Sequence, residues 1–75
     1  MHERIRNLRE DKDLSQKAMA AILHVAQTTY SDYELGKINI PIEILKKLAE
    51  FHQTSIDYLL GVTDNPTPYP GSRNK

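Results

Sequence analysis

Residues 24–34 read HVAQTTYSDYE, and their polar side chains suit recognition by hydrogen bonding rather than bond-making. The Gln27 amide has the donor–acceptor pair that meets adenine N6 and N7 together, and Thr28 offers a hydroxyl and a methyl for thymine. Thr29 and Ser31 add hydroxyls, and the Asp32 carboxylate can accept from cytosine N4. Catalysis is not expected. His2, His24 and His52 are scattered, with no second acid or thiol at useful spacing. There is no cysteine, which excludes disulfides and thiolate metal sites. No phosphate-cradling glycine loop or metal motif appears, so neither cofactor nor metal is expected.

The elements that must carry these residues read as helices. In RIRNLRE, Ile5 and Leu8, with Met1 at the edge, share one face of a first amphipathic helix that fades near Asp11 to Asp13. Ser15 suits an N-cap before QKAMAAIL, where Ala18, Met19, Ile22 and Leu23 recur at helical spacing. QTTYSDYEL follows, with Tyr30 and Tyr33 three apart, and Gly36 fits the positive-φ position after its end. Pro41 opens PIEILKKLAEFH as the first helical residue, with Ile44, Leu45, Leu48 and Phe51 as its apolar stripe. A short helix over TSIDYLLG, capped by Thr54 or Ser55 and closed by Gly61, turns Ile56, Leu59 and Leu60 inward. No period-2 run is long enough for a strand. The fold class is all-α with five helices.

Seventy-five residues make one small domain, placed at 1–63. Residues 64–75 form a polar tail, because NPTPYPGSRNK holds three of the four prolines and no apolar period. The charged start, MHERIRNLRE, lacks a signal-peptide core, and no stretch reaches the ~18 apolar residues of a membrane helix. A soluble cytoplasmic protein is expected.

Residues 16–23 and 27–35, joined by a three-residue turn, are the frame of a helix-turn-helix. Ala20 falls where the two helices approach most closely, and Met19, Leu23, Val25, Tyr30 and Tyr33 close the angle. The ordered blocks RIRNLRE, LSQKAMAAILHV, QTTYSDYELGK, PIEILKKLAEF and SIDYLLG resemble the lambda-repressor and Cro type (XRE-family) helix-turn-helix domain over residues 4–61. That resemblance implies a five-helix prokaryotic or phage regulator that binds double-stranded DNA as a homodimer on a palindromic operator, through the major groove.

Site roles carry over from the resemblance. Gln27, Thr28, Ser31 and Asp32 match the base-reading face of the recognition helix. Gln16, Lys17, Thr29 and Lys37 match phosphate contacts, with Gln16 bridging a phosphate and the recognition helix. Arg9 and Glu34 match a structural salt bridge between the first and third helices. The chain departs from the family at His24, where glycine is usual, at Ala26, where a hydroxyl cap is common, and at Asp32, where a base or amide often stands.

The formal net charge is +0, so affinity for a polyanion must come from where the charges sit. Lys17 and Lys37, with Arg6 or Lys12, are expected to flank DNA. Lys46 and Lys47 lie at the edge, and Glu43, Glu50, Asp57 and Asp64 point away. So few cations imply modest, salt-sensitive affinity and dependence on a second subunit, for which Ile38 and Ile40, with Phe51 or the start of the fifth helix, are the candidate patch. The alternative is a protein-interaction module, an antitoxin or anti-repressor built on the same fold.

Overall fold

The computed structural model describes residues 3–67. Helices α1 (Glu3–Asp11), α2 (Gln16–Leu23), α3 (Gln27–Leu35), α4 (Ile42–His52) and α5 (Ile56–Leu59) follow in chain order, with no strand among the described residues. They surround one core, in which Ile5, Met19, Leu23, Tyr30, Leu48 and Leu59 are fully buried. Leu8, Leu14, Val25, Ile40, Ile44, Phe51 and Ile56 pack around its edge.

Two apolar residues assigned inward by period face outward, Ile22 on α2 and Leu60 after α5. The buried stripe of α4 is Leu45, Leu48, Ala49 and His52, with Ile44 and Phe51 at its margins. Pro41 is the N-cap of α4, not its first helical residue, and its carbonyl accepts from the N–H groups of Ile44 and Leu45. Met1 lies outside the described residues.

Every helix ends by the same device. Asp13, His24, Gly36, Gln53 and Gly61 all have positive φ. The next residue then donates its N–H to the carbonyl five positions back: Leu14 to Arg9, Val25 to Ala20, Lys37 to Asp32, Thr54 to Ala49 and Val62 to Asp57. This closure satisfies end carbonyls that would otherwise lack partners. Three of the five left-handed positions hold Asp, His or Gln, which accept that conformation at a modest cost. The helix starts are less uniform. The hydroxyls of Ser15 and Ser55 accept from the N–H groups of Ala18 and Tyr58, both at 3.0 Å, whereas Ala26 before α3 has no side-chain bond to give.

The stretch that begins at Asp64 is held to the domain. Arg4 on α1 donates to the carbonyls of Tyr58 and Thr63 at 3.1 and 2.8 Å and to the Asp64 carboxylate at 3.3 Å. Its guanidinium also lies 4.1 Å from the centre of the Tyr58 ring. Thr54 Oγ1 donates to the Pro66 carbonyl at 2.6 Å. Residues 68–75, the greater part of the expected tail, lie outside the described residues.

His52 is the unexpected core member. It is buried edge-on against Phe51, and neither ring nitrogen has a hydrogen-bond partner among the described residues. Burial, and secondarily the positive charge of Lys12, hold its pKa below the ordinary 6.5. The unfolded chain therefore binds this proton more readily than the folded one. Stability contributed by neutral His52 is complete above pH 6.5 and is lost as pH falls below it, with a slope of at most about 1.4 kcal/mol per pH unit. The His52→Leu variant should keep its stability between pH 6.5 and 5, whereas the parent loses part of its own. Urea titrations at both pH values check this, and equal pH slopes in the two proteins would contradict it.

Candidate nucleic-acid interface

The interface is built on the packing of α2 against α3. Ala20 on α2 is 2% exposed and belongs to the core that the two helices share. Tyr30 and Tyr33 turn inward from α3, with ring centres 6.4 Å apart and planes at 87°, an edge-to-face arrangement that favours aromatic pairs. With Tyr30, Tyr33 and Glu34 buried, the opposite side of α3 is fixed by the helical period. Thr28, Ser31, Asp32 and Leu35, spaced i, i+3, i+4 and i+7, share that outer side, where Thr28 and Leu35 are exposed and Ser31 and Asp32 half-buried. Gln27 is exposed at its N-terminal edge, and Thr29 is half-buried on the flank. Leu35 is 48% exposed and was not among the residues singled out by chemistry. Its position one turn beyond Ser31 and Asp32 was the available signal, and its apolar side chain suits a thymine methyl.

One buried polar cluster ties α1, α2 and α3 together. Arg9 Nε donates to Glu34 Oε2 at 2.7 Å and Arg9 Nη2 to Glu34 Oε1 at 3.2 Å, a two-pronged pair between buried side chains. Arg9 Nη1 donates to the Leu14 carbonyl at 2.7 Å, and Gln16 Nε2 donates to Glu34 Oε1 at 3.0 Å. Burial alone would push the Glu34 carboxyl up, but the hydrogen bonds it receives, led by Arg9, outweigh that and hold it below its ordinary value. The same contacts raise Arg9. The Tyr30 hydroxyl is sealed in nearby, with no partner in hydrogen-bonding geometry among the described residues. Burial first, and Glu34 second, push its ionisation well above the ordinary phenol value. The charge of Glu34 is thus matched inside the scaffold and contributes little to the outer field of α3.

The cations divide by use. Arg9 is internal, Arg4 is engaged with the segment after α5, Arg6 pairs with Glu10 at 3.2 Å, and Lys12 sits 5.4 Å above the Phe51 ring. Lys17 and Lys37 are exposed and make no ion pair among the described residues, as do Lys46 and Lys47. Ile38 and Ile42 are exposed, whereas Ile40 and Phe51 pack against the core.

Because Ala26 leaves the first N–H groups of α3 without a side-chain acceptor, Ala26→Ser should stabilise the chain by about 1 kcal/mol. That corresponds to a rise of roughly 4–8 °C in melting temperature for a domain of this size. Thermal unfolding followed by circular dichroism checks it, and an unchanged or lower midpoint would contradict it.

A family model described as Helix-turn-helix matches residues 5–59. The chain belongs to that family. This helix-turn-helix chain is 33% identical over 72 residues to the uncharacterized HTH-type transcriptional regulator YobD of Bacillus subtilis (strain 168), a match covering 96% of the chain and 64% of the relative. It is 38% identical over 64 residues to the cryptic phage CTXphi transcriptional repressor RstR of Vibrio cholerae, covering 85% of the chain and 56% of that protein. With the HTH-type transcriptional regulator AnsR of Bacillus subtilis (strain 168) it shares 37% identity over 59 residues, 79% of the chain and 51% of the relative. The helix-turn-helix chain therefore spans about half to two thirds of the length of these relatives. No solved structure matches it. Among its described residues, no helix is long and apolar enough to cross a membrane, and no group of His, Cys, Asp or Glu is placed to hold a metal ion.

Proposed function

We propose that this chain is a sequence-specific double-stranded DNA-binding transcriptional regulator, a repressor that acts in the prokaryotic cytoplasm as a homodimer on a palindromic operator. The observation that carries the reading is the outer side of α3. It bears amide, hydroxyl and carboxylate groups, with Gln27 and Thr28 exposed and Ser31 and Asp32 half-buried, while Tyr30, Tyr33 and Glu34 are buried on the other side. Membership of the helix-turn-helix family, and relatives named as transcriptional regulators and a repressor, support it.

In this reading α3 lies in the major groove. Gln27 and Thr28 read base edges, with Ser31 and Asp32 further along, and Leu35 meets a thymine methyl. Gln16 and Lys17 at the start of α2 contact phosphates, as do Thr29 and Lys37 on either side of the reading face. Asp32 is repelled by phosphate and favoured only opposite a cytosine amine, so it narrows the sequences accepted. Two half-sites, one per subunit, supply affinity that the few free cations of one chain do not, and exposed Ile38 and Ile42 are the apolar surface offered for pairing.

Gln27→Ala should weaken operator binding by about 1–3 kcal/mol and relax preference at one base position. Binding to a set of single-base operator variants measures this. A uniform loss across the whole set would assign Gln27 to a phosphate and remove it from the reading face.

A further inference from the structure

The buried carboxylate of Glu34 also engages a side chain of α2. Its Oε1 accepts from Arg9 Nη2 and from Gln16 Nε2, at 3.2 and 3.0 Å. Gln16 is the first residue of α2, half-buried, and this is its one side-chain hydrogen bond among the described residues. An amide nitrogen carries two protons in one plane. With one directed at Glu34, the other has a fixed direction and no partner among the described residues. No hydrogen bond joins Gln16 to Gln27, so the orientation of this side chain is set from the C-terminal end of α3. Glu34 is itself immobilised by both prongs of Arg9, and Arg9 by the Leu14 carbonyl just before α2.

We propose that Glu34 is a positioning residue for the phosphate contact of Gln16: the carboxylate holds the amide so that its remaining N–H is aimed outward before DNA arrives. This rests on the DNA-binding reading above. A glutamine free in solution must give up rotamer freedom on binding, and the restraint in the unbound chain removes that cost. Glu34 touches no DNA in this account and acts through Gln16 alone.

The test is a double-mutant cycle on operator affinity, with every variant checked for folding by circular dichroism. Gln16→Ala is measured in the wild-type chain and in an Arg9→Met/Glu34→Leu background, where apolar volume replaces the ion pair. In the wild-type chain the substitution should weaken binding about three- to tenfold with the salt slope unchanged, because a neutral amide neutralises no phosphate. In the apolar background it should cost about twofold or less. An Arg9→Met/Glu34→Gln background, which keeps an acceptor oxygen for the amide, should restore most of the Gln16 effect. Equal losses in all backgrounds overturn the positioning role, as does tighter binding on removal of the carboxylate. Should the apolar background not fold, side-chain amide relaxation in the free wild-type chain decides. A Gln16 amide more ordered than that of exposed Gln27 supports the proposal, and one equally mobile overturns it. A wild-type chain that binds no duplex at low salt overturns the DNA-binding reading itself, an outcome distinct from wild-type binding with no coupling.

Discussion

Arg9→Met as a single change should destabilise the chain by about 3–5 kcal/mol, most of the stability such a small domain has. The expected fall in melting temperature is about 15–30 °C. The loss is not the worth of a salt bridge. It comes from stranding the Glu34 carboxylate, 6% exposed, with the single remaining donor Gln16. The same reasoning sets a contrast. Arg9→Met with Glu34→Leu leaves no unpaired charge and should lie within about 1.5 kcal/mol of the parent, or above it. Acid should reproduce part of the single-mutant loss. The Glu34 pKa is depressed in the folded chain, so its contribution is present above the ordinary 4.5 and fades as pH falls below that value. Acid loss between pH 6.5 and 4.5 then belongs to His52 rather than to this pair. Urea unfolding of the parent, the single and the double variant at pH 7 checks the account. Equal losses in the two variants would show that the pair matters for its attraction and not for the cost of breaking it.

Tyr30→Ala should cost a similar amount, about 3–5 kcal/mol, by a different route. Tyr30 is 0% exposed, the largest fully buried side chain, and it edges against Tyr33 in the angle between α2 and α3. Its removal opens a cavity under the recognition helix while leaving every exposed residue of α3 in place. DNA affinity should therefore fall even where the variant is still folded, because α3 loses its fixed seat on α2. Tyr30→Leu refills part of the space and should recover a substantial share of the stability. Thermal unfolding and operator titration of both variants at 10 °C separate the effects. A Tyr30→Ala chain with wild-type stability would contradict the packing described.

Much of this was legible in the residues, for identifiable reasons. The apolar spacing of α2 to α4, the hydroxyls of Ser15 and Ser55, and Gly36 are local signals, and each helix they mark is present. Other features were hidden because their causes are not local. Asp13 and Gln53 take left-handed conformations without the glycine that would advertise them. His52 falls in period with Leu45, Leu48 and Ala49, but a histidine does not read as core. Arg4 read only as one of the cations clustered near the start of the chain. Two of its three acceptors are backbone carbonyls, of Tyr58 and Thr63, which side-chain chemistry does not reveal. At the interface, Gln16 was assigned by resemblance to a phosphate and to the recognition helix. That its partner is the Glu34 carboxylate is a matter of three-dimensional placement.

The internal pairing of Glu34 also resolves why two acids on α3 need not forbid a DNA surface. One of them is matched by Arg9 inside the protein, and only Asp32, half-buried on the other side of α3, is left to bias the sequence accepted in the reading proposed above. The most direct measurement is selection of bound duplexes from a random pool at low salt. The account expects one enriched motif made of two half-sites related by two-fold symmetry, about one helical turn apart. Recovery of duplexes with no shared motif, or no retention at all, would contradict it.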